Sequence, residues 1–351
     1  MKKRRRELRG HVKRKKLHCI ILFNLTMNPD PNFFYLTGYA GYGCLVLLKD
    51  RELLFVPKME FERARKTVKG IRVKVYRKNL WKSLRRYSKG RAIGIDFNAV
   101  TLTFMKILKK EFRRKTFVDI SSVIRGLRSV KTANEIRILK KACRISDTIL
   151  KKLFSGFRKF RTEKDVADFL ESEARKNSCE LAFQPIVASG PGAAEPHHTP
   201  QRKRLRKGFC VIDFGVKYKG YCSDTTRTVY IGKPSRKERD IYNLVLNAQK
   251  DVVGSLRPGQ KCSDVYNRMI KDLGRYSRKF THGLGHGVGV EIHELPDLKP
   301  KSNSILREGM VLTVEPGVYF DNKLGIRIED TVLIAKKPLV LTGVTKSLKM
   351  L

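Results

Sequence analysis

Apolar positions recur along this chain with two different periods, and their alternation predicts its elements. Residues 17–25 read as a first strand, and the segments 32–48, 52–57, 71–76 and 92–96 as further strands. Helical spacing lies between them, around 60–69 and 103–112. Strands alternating with helices predict an α/β N-terminal domain. After a boundary within 121–132, Thr132-Ala-Asn-Glu135 forms a capping box that opens a long helix, with Ile136, Leu139, Ala142, Cys143, Ile149, Leu150 and Leu153 on one face. Thr162-Glu-Lys-Asp165 starts a second helix running to about Lys176. Ser235-Arg-Lys-Glu238 starts a third, buried through Ile241, Leu244, Val245, Ala248 and Val252, and a fourth follows Ser263. The stretches 183–189, 209–231, 312–320 and 325–333 have strand character. Helices set among hairpins predict an α+β second domain on a mostly antiparallel sheet. The expected organisation is a basic arm (1–16), an N-terminal domain (17–120) and a C-terminal domain (121–351).

At 351 residues the chain has room for two such domains. No apolar run reaches the roughly 20 residues of a membrane helix, so no membrane association is expected. Residues 17–25 imitate a signal peptide after a basic start, but His18 and Asn24 interrupt the run and no small-residue cleavage site follows. The 7 cysteines are scattered without C-x-x-C spacing, which fits a reducing cytoplasm. Net charge is +43, and residues 1–130 hold 34 Lys/Arg against 9 Asp/Glu. Such a field attracts nucleic acid or other polyanions non-specifically. A general Lys/Arg bias on a solvated surface is the plainer account, because no recognition module accompanies the charge.

One stretch concentrates the chemistry: His282-Gly-Leu-Gly-His286-Gly-Val-Gly-Val-Glu-Ile-His293-Glu. Its alternating glycines each cost a helix roughly 1 kcal/mol against alanine, so the backbone is expected to be extended or looped. His282 and His286 then lie about 13 Å apart at roughly 3.3 Å per residue, too far to share one ion. Two hairpins bring acids together. A hairpin symmetric about the 218/219 link sets Asp213 opposite Asp224, and one centred on Asn322 sets Glu315 opposite Glu329. With His286 these four carboxylates suit two divalent cations that clamp and activate a water. Asp213-Phe-Gly215 imitates the magnesium triplet of protein kinases, but the accompanying kinase motifs are missing.

These residues, in order and spacing, resemble the pita-bread metallopeptidases (the creatinase/aminopeptidase-like fold), and within them Xaa-Pro dipeptidase (prolidase) and aminopeptidase P. The segments that carry the likeness are Asp213-Phe-Gly with Gly220-Tyr-Cys-Ser-Asp224-Thr-Thr-Arg, the histidine stretch, Gly309-Met-Val-Leu-Thr-Val-Glu315-Pro-Gly and Gly325-Ile-Arg-Ile-Glu329-Asp. Upstream it extends to 32–38, 127–131 and 183–197, so it covers nearly the whole chain.

The resemblance implies hydrolysis of the bond between an N-terminal residue and proline by a water or hydroxide held between two metal ions; the oxygen-rich donor set with a single nitrogen leans toward manganese or cobalt, ahead of zinc or iron. It implies that Asp213 binds one ion, that His286 and Glu315 bind the other, and that Asp224 and Glu329 bridge both. Glu315 is the implied general base, and His293 steadies the carbonyl oxygen and passes protons. His197 and His282 are substrate-side histidines. Arg327 joins the substrate-binding set and is expected to orient the Glu329 carboxylate. A homodimer acting on Xaa-Pro peptides in the cytoplasm is implied as well. Gln184 and His198 depart from the family pattern without touching a ligand position. Two alternatives stay open: aminopeptidase P acting on longer peptides, and a non-catalytic relative that binds nucleic acid or ribosomes through its basic surface.

Overall fold

The computed structural model describes residues 1–26, 29–77 and 79–351. It divides into two compact units, Met1–Leu127 and Arg128–Leu351.

The first unit is built on six strands: β1 (Cys19–Asn24), β2 (Gly43–Leu48), β3 (Glu52–Val56), β4 (Arg72–Val75), β5 (Ala92–Ile95) and β6 (Thr116–Asp119). They form one mixed sheet in the order β4-β3-β2-β1-β5-β6. The helices are α1 (Lys2–Arg14), α2 (Pro31–Thr37), α3 (Phe61–Thr67), α4 (Leu80–Arg86), α5 (Leu102–Glu111) and α6 (Ser121–Ser129). Two expectations change here. The basic segment 1–16 is a helix over most of its length, because Leu8 and Val12 are buried on one face and Arg5 donates to the carbonyls of Leu36 (2.8 Å) and Lys69 (3.1 Å). The run 32–48, expected as a strand, begins as α2. Asp30 caps that helix at Phe33 N, Pro31 occupies its first turn, and Gly38 closes it at φ 70°. A short buried apolar run has no readable period, so these start and stop signals decide.

In the second unit the three capping boxes all form, opening α7 (Ala133–Ser155), α8 (Glu163–Lys176) and α9 (Arg236–Ser255). The fourth helix is α10 (Cys262–Leu273). Short β7 (Glu180–Leu181) and β8 (Ile186–Ser189) precede β9 (Gly208–Phe214), β10 (Val216–Tyr218), β11 (Tyr221–Cys222) and β12 (Thr225–Ile231). Beyond α10 come β13 (Gly285–Gly287), β14 (Glu294–Leu298), β15 (Val311–Val314), β16 (Gly317–Phe320), β17 (Leu324–Arg327), β18 (Asp330–Leu333) and β19 (Leu339–Val340). All ladders between these strands are antiparallel, in sheets β12-β9-β8, β11-β10-β7, β14-β13-β15-β18-β19 and β16-β17. One core packs α9 and α10 residues such as Tyr242, Val245 and Met269 against Leu312, Ile326 and Val332. A second packs α7 and α8 residues such as Leu150 and Leu170 against Ile212 and Val187. No described helix is long and apolar enough to cross a membrane.

The hairpin registers place the acids. In the second hairpin, β16 pairs with β17 through Gly317 and Arg327, and β15 pairs with β18 through Val314 and Asp330. Both ladders share one register, and Glu315 and Glu329 fall between them as the expected opposed pair. The first hairpin is shifted: Asp213 faces Thr226, not Asp224. The reason is the turn, whose two central residues are Lys219 and Gly220, with φ of 49° and 79°. Positive φ at both centres matches the twist of the flanking strands, so the link moves one residue beyond the predicted one.

Candidate metal centre

A cavity of about 430 Å³ in the second unit collects the chemistry. Its lining includes Asp213, Asp224, His286, Glu315 and Glu329, together with His197, His282, His293 and Arg327. Every candidate residue read from sequence therefore faces one space. β9 supplies Asp213, the residue before β12 supplies Asp224, β13 supplies His286, and the doubled hairpin supplies both glutamates.

The local sequence explains how each is held. His286 sits between flanking glycines because a Cβ at Gly285 would run into the Thr313 carbonyl, and one at Gly287 into the Leu295 carbonyl. Its backbone N–H donates to Thr313 Oγ1 at 3.0 Å, and that hydroxyl donates to Glu315 Oε1 at 3.2 Å, so one threonine locates a histidine and a glutamate. Glu329 Oε2 accepts from Thr226 Oγ1 at 2.7 Å, while the Arg227 guanidinium grips the Glu329 carbonyl and the Asp330 carboxylate.

Ligand atoms of Asp224, His286 and Glu329 all lie within 4.8 Å of one another. His286 Nδ1 lies 3.1 Å from the Gly287 carbonyl, and burial lowers the pKa of the ring. A neutral ring that donates there turns its Nε2 lone pair toward Asp224 Oδ2 at 3.5 Å and Glu315 Oε1 at 3.4 Å. The imidazole nitrogen and the carboxylate oxygens thus point at one place. Asp213 Oδ1 is likewise buried without a hydrogen-bond partner among the described residues. Burial pushes the carboxyls of Asp224 and Glu329 well up and that of Glu315 up. Repulsion from neighbouring acids adds to the shift, from Glu329 and Asp213 on Asp224 and from Glu315 and Asp213 on Glu329. Opposed acids, an orphaned carboxylate oxygen and an imidazole lone pair fit divalent cations in hard, oxygen-rich surroundings with one nitrogen.

Arg327 departs from the expected role. Its Nη2 donates to Asp213 Oδ2 at 2.7 Å, and it reaches Glu329 only through Thr226 Oγ1, 3.2 Å from Nε. Its Nη1 is used on Tyr319 Oη (3.0 Å) and the Pro196 carbonyl (3.1 Å). With four of its five N–H donors engaged and the side chain buried, it holds Asp213 in place while still lining the cavity. His282 is fixed between the Gly283 carbonyl (2.8 Å) and Tyr319 Oη (2.9 Å). The ring of His293 packs edge-on to His286 at 4.2 Å, and burial lowers the pKa of both His282 and His293. His197 is exposed at the rim. His198 points elsewhere: its ring nitrogens each lie 2.8 Å from a carboxylate, of Glu195 and Glu163.

Sequence reading missed Tyr319, Thr226 and Thr313. Tyr319 was legible as the strand residue two beyond Gly317, on the hairpin already singled out. Thr226 was hidden by the wrong register, which gave its place opposite Asp213 to Asp224.

Residues 137–336 match the family model described as Metallopeptidase family M24, and residues 4–130 match the one described as Creatinase/Prolidase N-terminal domain. The chain is 37% identical over 317 residues to the Xaa-Pro dipeptidase of Pyrococcus horikoshii, covering 88% of each chain. Among solved structures it is similar to the prolidase of Pyrococcus horikoshii, with a TM-score of 0.90, 32% identity and 99% of both chains covered. It is also similar to the X-Pro aminopeptidase of Thermotoga maritima, with a TM-score of 0.89, 29% identity and coverage of 97% of this chain and 100% of that one.

Proposed function

Because the chain belongs to metallopeptidase family M24 and is a metal-dependent peptidase acting on Xaa-Pro bonds, we propose that it is an Xaa-Pro dipeptidase working with two divalent ions. Asp213, Asp224, His286, Glu315 and Glu329 would hold them, with manganese or cobalt ahead of zinc or iron. The observation that carries this reading is the convergence of Asp224, His286 and Glu329 within 4.8 Å beside the partnerless Asp213 Oδ1. The ions would supply a water acidified toward neutrality and a counter-charge for the developing oxyanion.

The chain's own residues do the rest. Glu315, with Oε1 fixed by Thr313, takes a proton from the attacking water at Oε2. His293, neutral near pH 7 because burial lowers its pKa, donates to the scissile carbonyl oxygen. His282, with its tautomer set by Gly283 and Tyr319, and His197 at the rim orient the peptide. Arg327 keeps Asp213 aimed into the cavity.

Seven buried free cysteines support a reducing, cytoplasmic setting, and the homodimer implied by the family resemblance is kept as part of the proposal. A second role, contact with nucleic acid or another polyanion, is supported by the net charge of +43 and its concentration in the first 130 residues. The deciding experiment is release of proline from Xaa-Pro dipeptides against Xaa-Pro-Xaa tripeptides with manganese, cobalt and zinc. Faster dipeptide cleavage supports the proposal, and cleavage of the longer peptides alone moves it to aminopeptidase P.

A further inference from the structure

Most of the positive charge has no part in that chemistry, and one region of the first unit arranges it into a built surface. Residues 79–118 hold 11 Lys/Arg against 2 Asp/Glu. The two acids offset at most one of them, Arg85. Asp96 is buried and accepts from Asn32 Nδ2 at 2.5 Å, and Glu111 accepts from Arg85 Nη1 at 2.6 Å.

The Arg85–Glu111 pair ties the C-terminal end of α4 to that of α5, so the negative ends of two helices meet under a cluster of cations, where positive charge is favoured. Lys115 locks the junction by donating to the carbonyls of Lys89 (2.7 Å) and Gly90 (2.9 Å). Two cavities of about 450 and 570 Å³ open beside it, sharing Phe112 and Lys115 in their linings. Exposed Lys109 and Arg114 border the first, and exposed Lys89, Lys110 and Arg113 border the second; none of these five has an acidic partner among the described residues. The first cavity is also edged by Phe97, a large ring left 40% exposed.

A cationic rim around concave space, with an aromatic face at its edge, is the combination that holds single strands: phosphates follow the charges and a base stacks on the ring. A duplex would use the charges alone and leave the exposed ring of Phe97 without a base to stack on. We propose that this face of the first unit binds single-stranded nucleic acid, with the backbone along Lys89, Lys109, Lys110, Arg113 and Arg114 and a base against Phe97. The surface lies wholly within Met1–Leu127, and its test does not depend on the peptidase reading.

The test is fluorescence anisotropy of the full chain with a labelled 12-nucleotide oligouridylate across a salt series, with proline release assayed in parallel. Expected are saturable binding at about 150 mM salt and a logarithmic salt slope that falls by about 2 when Lys109, Lys110 and Arg113 are all changed to Glu, at about 0.7 for each phosphate no longer neutralised. Affinity should fall by about a hundredfold in that variant. Phe97→Ala should weaken binding about fivefold or more with an unchanged slope, since stacking is worth roughly 1–3 kcal/mol per base. Reversal of three exposed cations of the second unit, Lys233, Arg236 and Lys237, should have little effect, and proline release should persist in all variants. The proposal is overturned if that control weakens binding as much as the first triple change, if Phe97→Ala changes nothing, if a duplex of equal length or anionic phosphatidylserine vesicles bind more tightly than the oligouridylate, or if the wild-type chain does not bind.

Discussion

Arg327 Nη2 lies 2.7 Å from Asp213 Oδ2, while Oδ1 of the same carboxylate is buried and accepts nothing among the described residues. One oxygen is pinned and the other is left for a cation. The guanidinium is itself immobilised by Tyr319, Thr226 and the Pro196 carbonyl, so Asp213 cannot rotate away. Groups that orient a ligand from behind typically contribute 10–100-fold in metal affinity. Arg327→Met should therefore lower affinity for manganese or cobalt by about that factor, as read by titration calorimetry. Arg327→Lys should not restore it, since one ammonium cannot span four acceptors. Wild-type affinity in Arg327→Met would remove the orienting role.

Asp224 belongs to the closest ligand triad, and its carboxyl is pushed well up by burial and then by Glu329 and Asp213. Asp224→Asn should reduce proline release by at least about a thousandfold, because it weakens a ligand expected to serve both ions. The same change should leave the metal-free protein as stable as wild type or more so. A carboxyl whose folded pKa is raised binds its proton more tightly in the folded state. Wild-type stability contributed by this group therefore declines as pH rises from the unfolded value near 3.9 through the raised folded value. In chelator, the melting temperature of the variant minus that of wild type should grow with pH across that window. Near-normal turnover, or a difference that shrinks with pH, would contradict the assignment.

Much of this architecture is legible in the order of amino acids alone, for reasons that can be located. Thr132, Thr162 and Ser235 announce their helices because a capping box satisfies backbone donors locally and needs no tertiary information. The opposition of Glu315 and Glu329 follows from a hairpin whose centre, Asn322, is a residue that tolerates positive φ, here 56°. Asp213 and Asp224 are paired wrongly from sequence because Tyr218-Lys-Gly220 offers two neighbouring turn positions, and only the backbone at Lys219 chooses between them. The helix α1 escapes notice because Arg5, Leu8 and Val12 form its buried stripe among a surplus of cations. Nothing in the chain signals that Arg327 turns to Asp213 in preference to Glu329, since that depends on how β9 and β17 approach one another.

His198 lies buried between Glu163 and Glu195, each 2.8 Å from a ring nitrogen. Burial alone would lower its pKa, but the two carboxylates outweigh that and raise it. A raised folded value means that stability from the imidazolium is fully present below the unfolded value near 6.5 and is lost as pH rises through the folded one. His198→Gln should cost roughly 1.5–3 kcal/mol at pH 6, the range for hydrogen bonds to charged groups, and progressively less above pH 7. Urea unfolding at several pH values reads this directly. A cost that is constant with pH would mean the ring is neutral. The same Glu163 carboxylate accepts from Ser189 N (2.8 Å) and Gln201 N (3.2 Å), anchoring both ends of the segment that carries Pro196 and His197. KM for an Xaa-Pro dipeptide should therefore rise in the variant at pH 6 more than at pH 8.

Glu294, next to His293, is the centre of a buried clamp. Its Oε1 accepts from Arg128 Nη2 (2.7 Å) and Val290 N (2.8 Å), and its Oε2 from Lys131 Nζ (3.2 Å). Burial opposes its ionisation, yet Lys131 and Arg128 hold its carboxyl below the usual range, while burial lowers the pKa of Lys131. Gly289 is part of the arrangement, because a Cβ there would strike the Glu294 carboxylate. Glu294→Gln keeps an acceptor for Val290 but takes the carboxylate from buried Lys131 and leaves Arg128 with Glu291, 2.6 Å away, as its acidic partner, a one-sided break of the kind that costs about 3–5 kcal/mol in buried networks. Urea unfolding of the metal-loaded protein should show that loss. Removing one cation as well, in Lys131→Met with Glu294→Gln, should recover part of it, because the charge mismatch shrinks. If the double variant is no more stable than Glu294→Gln, the penalty comes from poorer packing and hydrogen bonding at the loop leading to His293, and charge balance is not what the clamp provides.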